Sequence, residues 1–119
     1  MEYKAQGHEL ANAFARARTY LQKPPSKQNK GHEFYTIGGA MRFAIGHDLR
    51  VLRCALGLLS ARLGGKSVPE WLEANGVPKS ELTGLKGMKA IRTWKILWLE
   101  KLEEEFHDNT DEHTYTYEF

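Results

Sequence analysis

A long apolar repeat in the middle of the chain constrains the fold more than any other feature of the sequence. Between residues 40 and 63, leucine or isoleucine recurs at alternating intervals of four and three, at Ile45, Leu49, Leu52, Leu56, Leu59 and Leu63. This spacing places the six side chains on one face of a helix. Other apolar residues widen that face, which is typical of a central core helix rather than of a coiled-coil seam. We expect Gly46 to interrupt the segment and Asp48 to cap the helix that follows.

Four other segments also predict helices. Residues 8–22 carry an apolar stripe and stop at two consecutive prolines, which cannot continue a helix. Two short helices are expected at 67–75 and 78–85, and a longer one at 88–106, where apolar and aromatic residues lie three or four apart. We therefore predict a mainly α fold, a single compact helical domain of four to five helices.

Two segments have the composition of extended chain. Residues 32–37 and residues 113–119 are both rich in aromatic and β-branched side chains. They are candidates for a small two-stranded β ribbon, although the second segment could equally be a free tail. We accordingly divide the chain into a helical domain at 1–106 and an acidic C-terminal tail at 107–119.

Cysteine content and hydropathy bear on the cellular compartment. The single cysteine, Cys54, lies in an apolar run, where we expect a buried core residue, and it cannot form a disulfide within the chain. A lone thiol favours a reducing compartment. Residues 1–4 lack the basic-then-apolar order of a signal peptide, and five charged residues within 41–63 argue against a membrane span. We expect a cytoplasmic protein that does not contact membranes.

The net charge of +2 hides a division along the chain. Residues 1–99 contain 16 lysines and arginines and 7 acidic residues, whereas residues 100–119 contain one lysine and 8 acidic residues. A basic body of this kind favours binding to a polyanion, because the summed positive field attracts it.

The segment 68–86 resembles a helix-turn-helix motif. In that motif a glycine makes the turn between two short helices, an apolar residue follows it, and two more apolar residues lie six and nine positions after the glycine. The matching residues here are Gly76, Val77, Leu82 and Leu85. The first helix departs from the motif at Leu72, where a small residue is usual. An ordinary corner between two helices of a bundle therefore stays an alternative.

The resemblance implies a small nucleic-acid-binding protein, a regulator or accessory factor, with DNA favoured over RNA. Lys79, Ser80 and Thr83 would lie on the outer face of the second helix and approach base edges or phosphates. A second set of basic residues would contact phosphates: Lys86, Lys89, Arg92 and Lys95 beside the corner, and Arg42, Arg50 and Arg53 on another surface. Each of these could also be an ordinary solvated charge.

The alternative function is a protein-binding adaptor or an inhibitor of a larger machine. Three consecutive glutamates at the end of the last helix oppose its dipole, which suggests that they serve another purpose. The aromatic residues of the tail could dock on a partner as an added strand. The partner-binding residues under this alternative are Glu103, Glu104, Glu105, Tyr115, Tyr117 and Phe119.

No pattern in the sequence indicates an enzyme, a cofactor or a bound metal. It contains no phosphate-binding loop, dinucleotide fingerprint, nucleophile elbow or cysteine pair. The histidines and acids at 107–113 follow no zinc-binding spacing. We therefore expect a protein without catalytic activity, and no pattern determines its oligomeric state.

Overall fold

The computed structural model describes residues 2–22, 36–46, 48–83, 87–108 and 112–116. Within these ranges the chain is mainly helical, as predicted, with six helices and two short strands. The elements follow in the order β1 (Glu2–Gln6), α1 (Gly7–Gln22), α2 (Ile37–Ile45), α3 (Leu49–Leu63), α4 (Val68–Ala74), α5 (Lys79–Thr83), α6 (Gly87–Phe106) and β2 (Glu112–Thr116).

The central apolar segment is broken where the sequence predicts. Gly46 ends α2 with a φ of 68°, a conformation that glycine adopts without strain. Asp48 then caps α3, because its side chain accepts a hydrogen bond from the amide of Val51 at 3.2 Å. Gly64 ends α3 in the left-handed conformation.

The buried face of α3 differs from the predicted stripe. Leu49 begins the helix and is 51% exposed, and Leu56 and Leu63 are only half-buried. The fully enclosed side chains of this helix include Cys54, Ala55 and Leu58, which lie beside the predicted stripe. Leu52 and Leu59 of the predicted stripe are buried as well, so the buried face overlaps the stripe and is centred beside it.

The core lies between the two longest helices and the layer formed by α3. Helix α1 packs against α6 and α2, and it also contacts α3. Phe14 of α1 and Phe106 of α6 are both buried, with ring centroids 6.3 Å apart. The short helix α4 packs against α6 through Trp71 and Trp98, whose ring centroids lie 6.1 Å apart.

The predicted β ribbon exists, but the partner of its C-terminal strand was wrong. Strand β2 pairs antiparallel with β1, with Lys4 opposite Thr114 at the centre of the register. The segment 32–37 was the expected partner. Residues 32–35 lie outside the described residues, while Thr36 caps α2 and Ile37 is its first residue. Both strands contact α3, so the ribbon covers one side of that helix.

Candidate nucleic-acid interface

The corner between α4 and α5 has the turn that the helix-turn-helix resemblance requires. Ser67 caps α4 by accepting a hydrogen bond from the amide of Glu70 at 3.4 Å. After α4, Gly76 takes a φ of 95°, and the amide of Val77 donates to the carbonyl of Leu72 at 3.0 Å. This bond joins residues five positions apart and closes the C-terminal end of α4, as in other glycine-terminated helices.

The inner side of the corner is apolar and closed. Leu72 is fully buried, and Val77 and Leu82 are 8% and 5% exposed. The first apolar residue after the glycine and the apolar residue six positions after it therefore share the core, as the motif predicts. Leu85, the last residue of the motif, lies outside the described residues.

The outer side of α5 is polar and open to solvent. Lys79, Ser80 and Thr83 are all exposed, and so is Glu81. The helix has only five residues, so one and a half turns of backbone present these side chains. Such a short helix offers few side chains for reading bases, and it favours contacts to phosphates.

Helix α6 lies next to α5 and carries the neighbouring basic residues. The indole Nε1 of Trp94 donates to the carbonyl of Leu82 at 3.2 Å, which joins the two helices. Arg92 and Lys95 are half-buried, and burial lowers the pKa of Lys95. Lys86 and the side chain of Lys89 lie outside the described residues.

The second predicted basic surface is largely engaged within the protein. Arg50 forms an ion pair with Glu9, with Nη2 and Oε2 2.5 Å apart, and its pKa is raised by the hydrogen bonds to that carboxylate. Arg53 donates to the hydroxyl of Tyr3 at 2.8 Å and lies over its ring, 5.2 Å from the centroid. Arg42 is exposed. Of the three predicted residues, Arg42 is the one whose side chain makes no hydrogen bond or ion pair with a described residue.

Two glutamates at the acidic end of α6 form ion pairs with arginines of the basic body. Glu103 accepts a hydrogen bond from Arg18 of α1 at 2.9 Å, and Glu105 forms an ion pair with Arg62 of α3. Both contacts join residues more than 40 positions apart, so no local signal could have predicted them. The side chain of Glu104 is exposed and has no hydrogen bond or ion pair to a described residue.

The other residues of the predicted protein-binding surface belong to the tail. Tyr115 lies in β2, opposite Tyr3 of β1. Tyr117 and Phe119 lie outside the described residues. Residues 112–116 are thus part of the β ribbon, whereas the division of the chain into a helical domain and a tail stays a prediction.

Shallow surface depressions gather near the acidic end. One is lined by Arg18, His107 and three glutamates of α6, and Glu104 also borders a second one beside Trp71 and Lys101. Among the described residues, no three histidine, cysteine or acidic side chains are arranged to hold a metal ion. No described helix is both long and apolar enough to cross a membrane.

Comparison with known proteins identifies no relative. No protein-family model, no curated protein and no solved structure matches this chain. The function is therefore inferred from the geometry and charge of the residues themselves.

Proposed function

We propose that the protein binds nucleic acid through a surface formed by α5 and the first half of α6, called here the corner surface. It consists of Lys79, Ser80, Thr83, Lys86, Lys89 and Arg92. The observation that carries this proposal is the exposure of all three outer residues of α5 next to a helix segment, 87–99, that contains three cations and no acid. Phosphate contacts would supply most of the affinity.

The exposed outer face of α5 is a better candidate for phosphate contact than the second basic surface. Arg50 and Arg53 already contact Glu9 and Tyr3, so binding a phosphate would require them to give up those contacts. A pair such as Arg50 and Glu9 also presents little net charge to a distant polyanion. We therefore assign Arg50 and Arg53 no principal role in binding.

The length of α5 suggests the type of recognition. A helix of five residues reaches few base edges, so we expect modest sequence preference and a large electrostatic contribution. With about four phosphates neutralised, the affinity should fall on the order of 100-fold between about 50 and 200 mM salt. DNA duplex is the favoured ligand, since the resemblance is to a motif that enters the major groove.

The test is fluorescence anisotropy with labelled DNA duplex. The variant Lys79→Glu, Lys86→Glu, Lys89→Glu changes the corner surface, and we expect it to abolish binding. The matched control reverses three exposed cations elsewhere, Lys4, Arg16 and Lys66, and changes the net charge by the same amount. The control should retain most of the affinity. Equal losses in the two variants would contradict the proposal, because net charge alone would then explain binding.

We keep protein binding at the acidic end as a second proposal. Its support is Glu104, which is exposed and borders both depressions near the end of α6. The substitution Glu104→Lys should abolish capture of a basic protein partner and leave nucleic-acid binding unchanged. Comparing pull-downs with and without nuclease separates this function from the first, since a nucleic-acid bridge is lost on digestion.

A further inference from the structure

The outer edge of β1 is occupied by an ion pair from the helical domain. Arg50 donates to the carbonyl of Lys4 at 2.6 Å, and Glu9 accepts a hydrogen bond from the amide of Gln6 at 3.0 Å. Arg50 and Glu9 also bind each other. Together they occupy two of the backbone groups that an additional strand would need on this side of the ribbon, the Lys4 carbonyl and the Gln6 amide.

These contacts determine which backbone groups face outward on both strands. The amide of Gln6 has one hydrogen and gives it to Glu9, so it does not point towards β2. Because backbone groups alternate in direction along a strand, Lys4 also points outward, and Tyr3 and Ala5 form the hydrogen-bonded pairs with β2. Their partners on β2 are Tyr115 and His113, so Glu112, Thr114 and Thr116 present their amides and carbonyls to the outer edge of β2.

The two edges of the ribbon are protected differently. The β1 edge has the Arg50–Glu9 pair and a central lysine, Lys4, which are both devices that prevent strand addition. Strand β2 contains neither lysine nor proline. Among the described residues, β1 is the only strand that pairs with β2. The β1 edge is therefore protected against an added strand, whereas the β2 edge has no strand partner within the described ranges.

We propose that β2 pairs with β2 of a second copy of this chain, which would produce a four-stranded sheet across a twofold axis. The outward-facing residues are Glu112, Thr114 and Thr116, so an antiparallel hydrogen-bonded register can be centred on Thr114. Thr114 then faces Thr114 of the second copy, and Glu112 faces Thr116. All five residues of the strand pair in this register.

The sequence of β2 suits pairing with itself. A threonine pair at the centre is a favourable cross-strand combination, and no like charges lie opposite each other in this register. Because a twofold interface uses the same patch from both subunits, a strand that is complementary to itself favours a second copy of the chain as the partner over an unrelated peptide. A five-residue strand pair buries less than the about 800 Å² per partner of a standard interface, so we expect a weak dimer.

Sedimentation equilibrium from micromolar to millimolar concentration tests this proposal. The wild-type protein should shift from 13.6 kDa towards twice that mass as its concentration rises. The variant Thr114→Pro removes an outward amide from the centre of β2 and should stay monomeric throughout. Lys4→Pro is the matched control, since Lys4 is the register partner of Thr114 but lies on the edge already occupied by Arg50. It should dimerise like the wild type.

Amide hydrogen exchange of the wild-type protein gives a second measurement that needs no variant. Protection of the Thr114 amide should increase with protein concentration, whereas protection of the His113 amide, which faces β1, should not. A wild type that stays monomeric at millimolar concentration would overturn the proposal. So would a dimer that Lys4→Pro weakens as much as Thr114→Pro, or Thr114 exchange that is independent of concentration. This inference does not depend on nucleic-acid binding.

Discussion

Glu9 is a single residue with contacts to three elements. It lies in the first turn of α1, accepts a hydrogen bond from the amide of Gln6 in β1, and pairs with Arg50 of α3. Arg50 extends the contact to the carbonyl of Lys4. The Glu9 carboxylate of α1 thus links this helix to β1 and to α3.

The Glu9 carboxylate should make stability depend on pH. The hydrogen bond from Arg50, and then that from the Gln6 amide, lowers the pKa of Glu9 in the folded protein. Its contribution is therefore complete above the unfolded-state pKa of about 4.3 and is lost as the pH falls through the lower folded-state pKa. Urea unfolding between neutral and acidic pH should show this loss in the wild type.

The variant Glu9→Gln is the control for this prediction. It should be less stable than the wild type at neutral pH, by about 1 kcal/mol at most for an exposed pair. The difference between the two proteins should shrink as the acidic limit is approached, because protonated Glu9 and glutamine are both neutral. A difference that stays constant over that range would show that Glu9 does not titrate as proposed.

The charged side chains at the two ends of α6 have the opposite signs to those that the helix dipole favours. Its first turn contains no acid and its last turn no base. Isolated, such a helix would be disfavoured at both ends. Arg18 and Arg62 offset part of this cost at the C-terminal end, because they pair with Glu103 and Glu105. The same arrangement places negative charge far along the helix from the corner surface.

Substitution of two neighbouring glutamates in α6 should distinguish the effect of the Arg18 ion pair on stability from the effect of a negative charge near the end of the helix dipole. Glu103→Gln weakens the contact to Arg18 and should lower the free energy of unfolding by about 0.5 to 1 kcal/mol. Glu104→Gln removes an exposed negative charge from the C-terminal end and should leave that free energy unchanged or slightly raise it. Chemical unfolding at low and high salt measures the free energy of unfolding of both variants, and the two free energies should converge at high salt. Identical losses at low salt would exclude a stabilising role for the Arg18 pair.

At the scale of the whole molecule, the ribbon brings residues near both ends of the chain together. Strand β1 begins at residue 2 and β2 ends at residue 116, and both rest on α3 in the middle of the sequence. Ala5 of β1 is 1% exposed and belongs to the main core. Residues 112–116 therefore contribute to the fold in addition to any role in binding.

Removal of the C-terminal segment should destabilise the protein. A chain that ends at Phe106 lacks β2, so the inward backbone groups of Tyr3 and Ala5 lose their partners. We expect its Tm to fall by about 5 °C or more, which corresponds to roughly 1 kcal/mol in a domain of this size. A chain that ends at Thr116 keeps β2 and should melt close to the full-length protein. Equal melting of the two truncated chains would show that β2 does not stabilise the fold.

The sequence by itself determined the helices and most of their ends, although not the start of α2 at Ile37, which lies in a segment expected to be extended. Gly46, Asp48, Ser67 and Gly76 stop or cap helices through bonds to residues three or four positions away, so the signal is local and can be recognised in the sequence. The burial of Cys54 and the apolar inner side of the corner could also be predicted, because helical periodicity depends only on spacing.

Only the tertiary structure decided which distant residues meet. The partner of β2, the pairing of Arg50 with Glu9, and the use of Glu103 and Glu105 against α1 and α3 all join residues more than 40 positions apart. Such contacts depend on how helices pack, and many acids and bases in the sequence could have satisfied the same chemistry. For that reason the sequence indicated a basic body with an acidic end, while the fold decided which of those charges stay exposed.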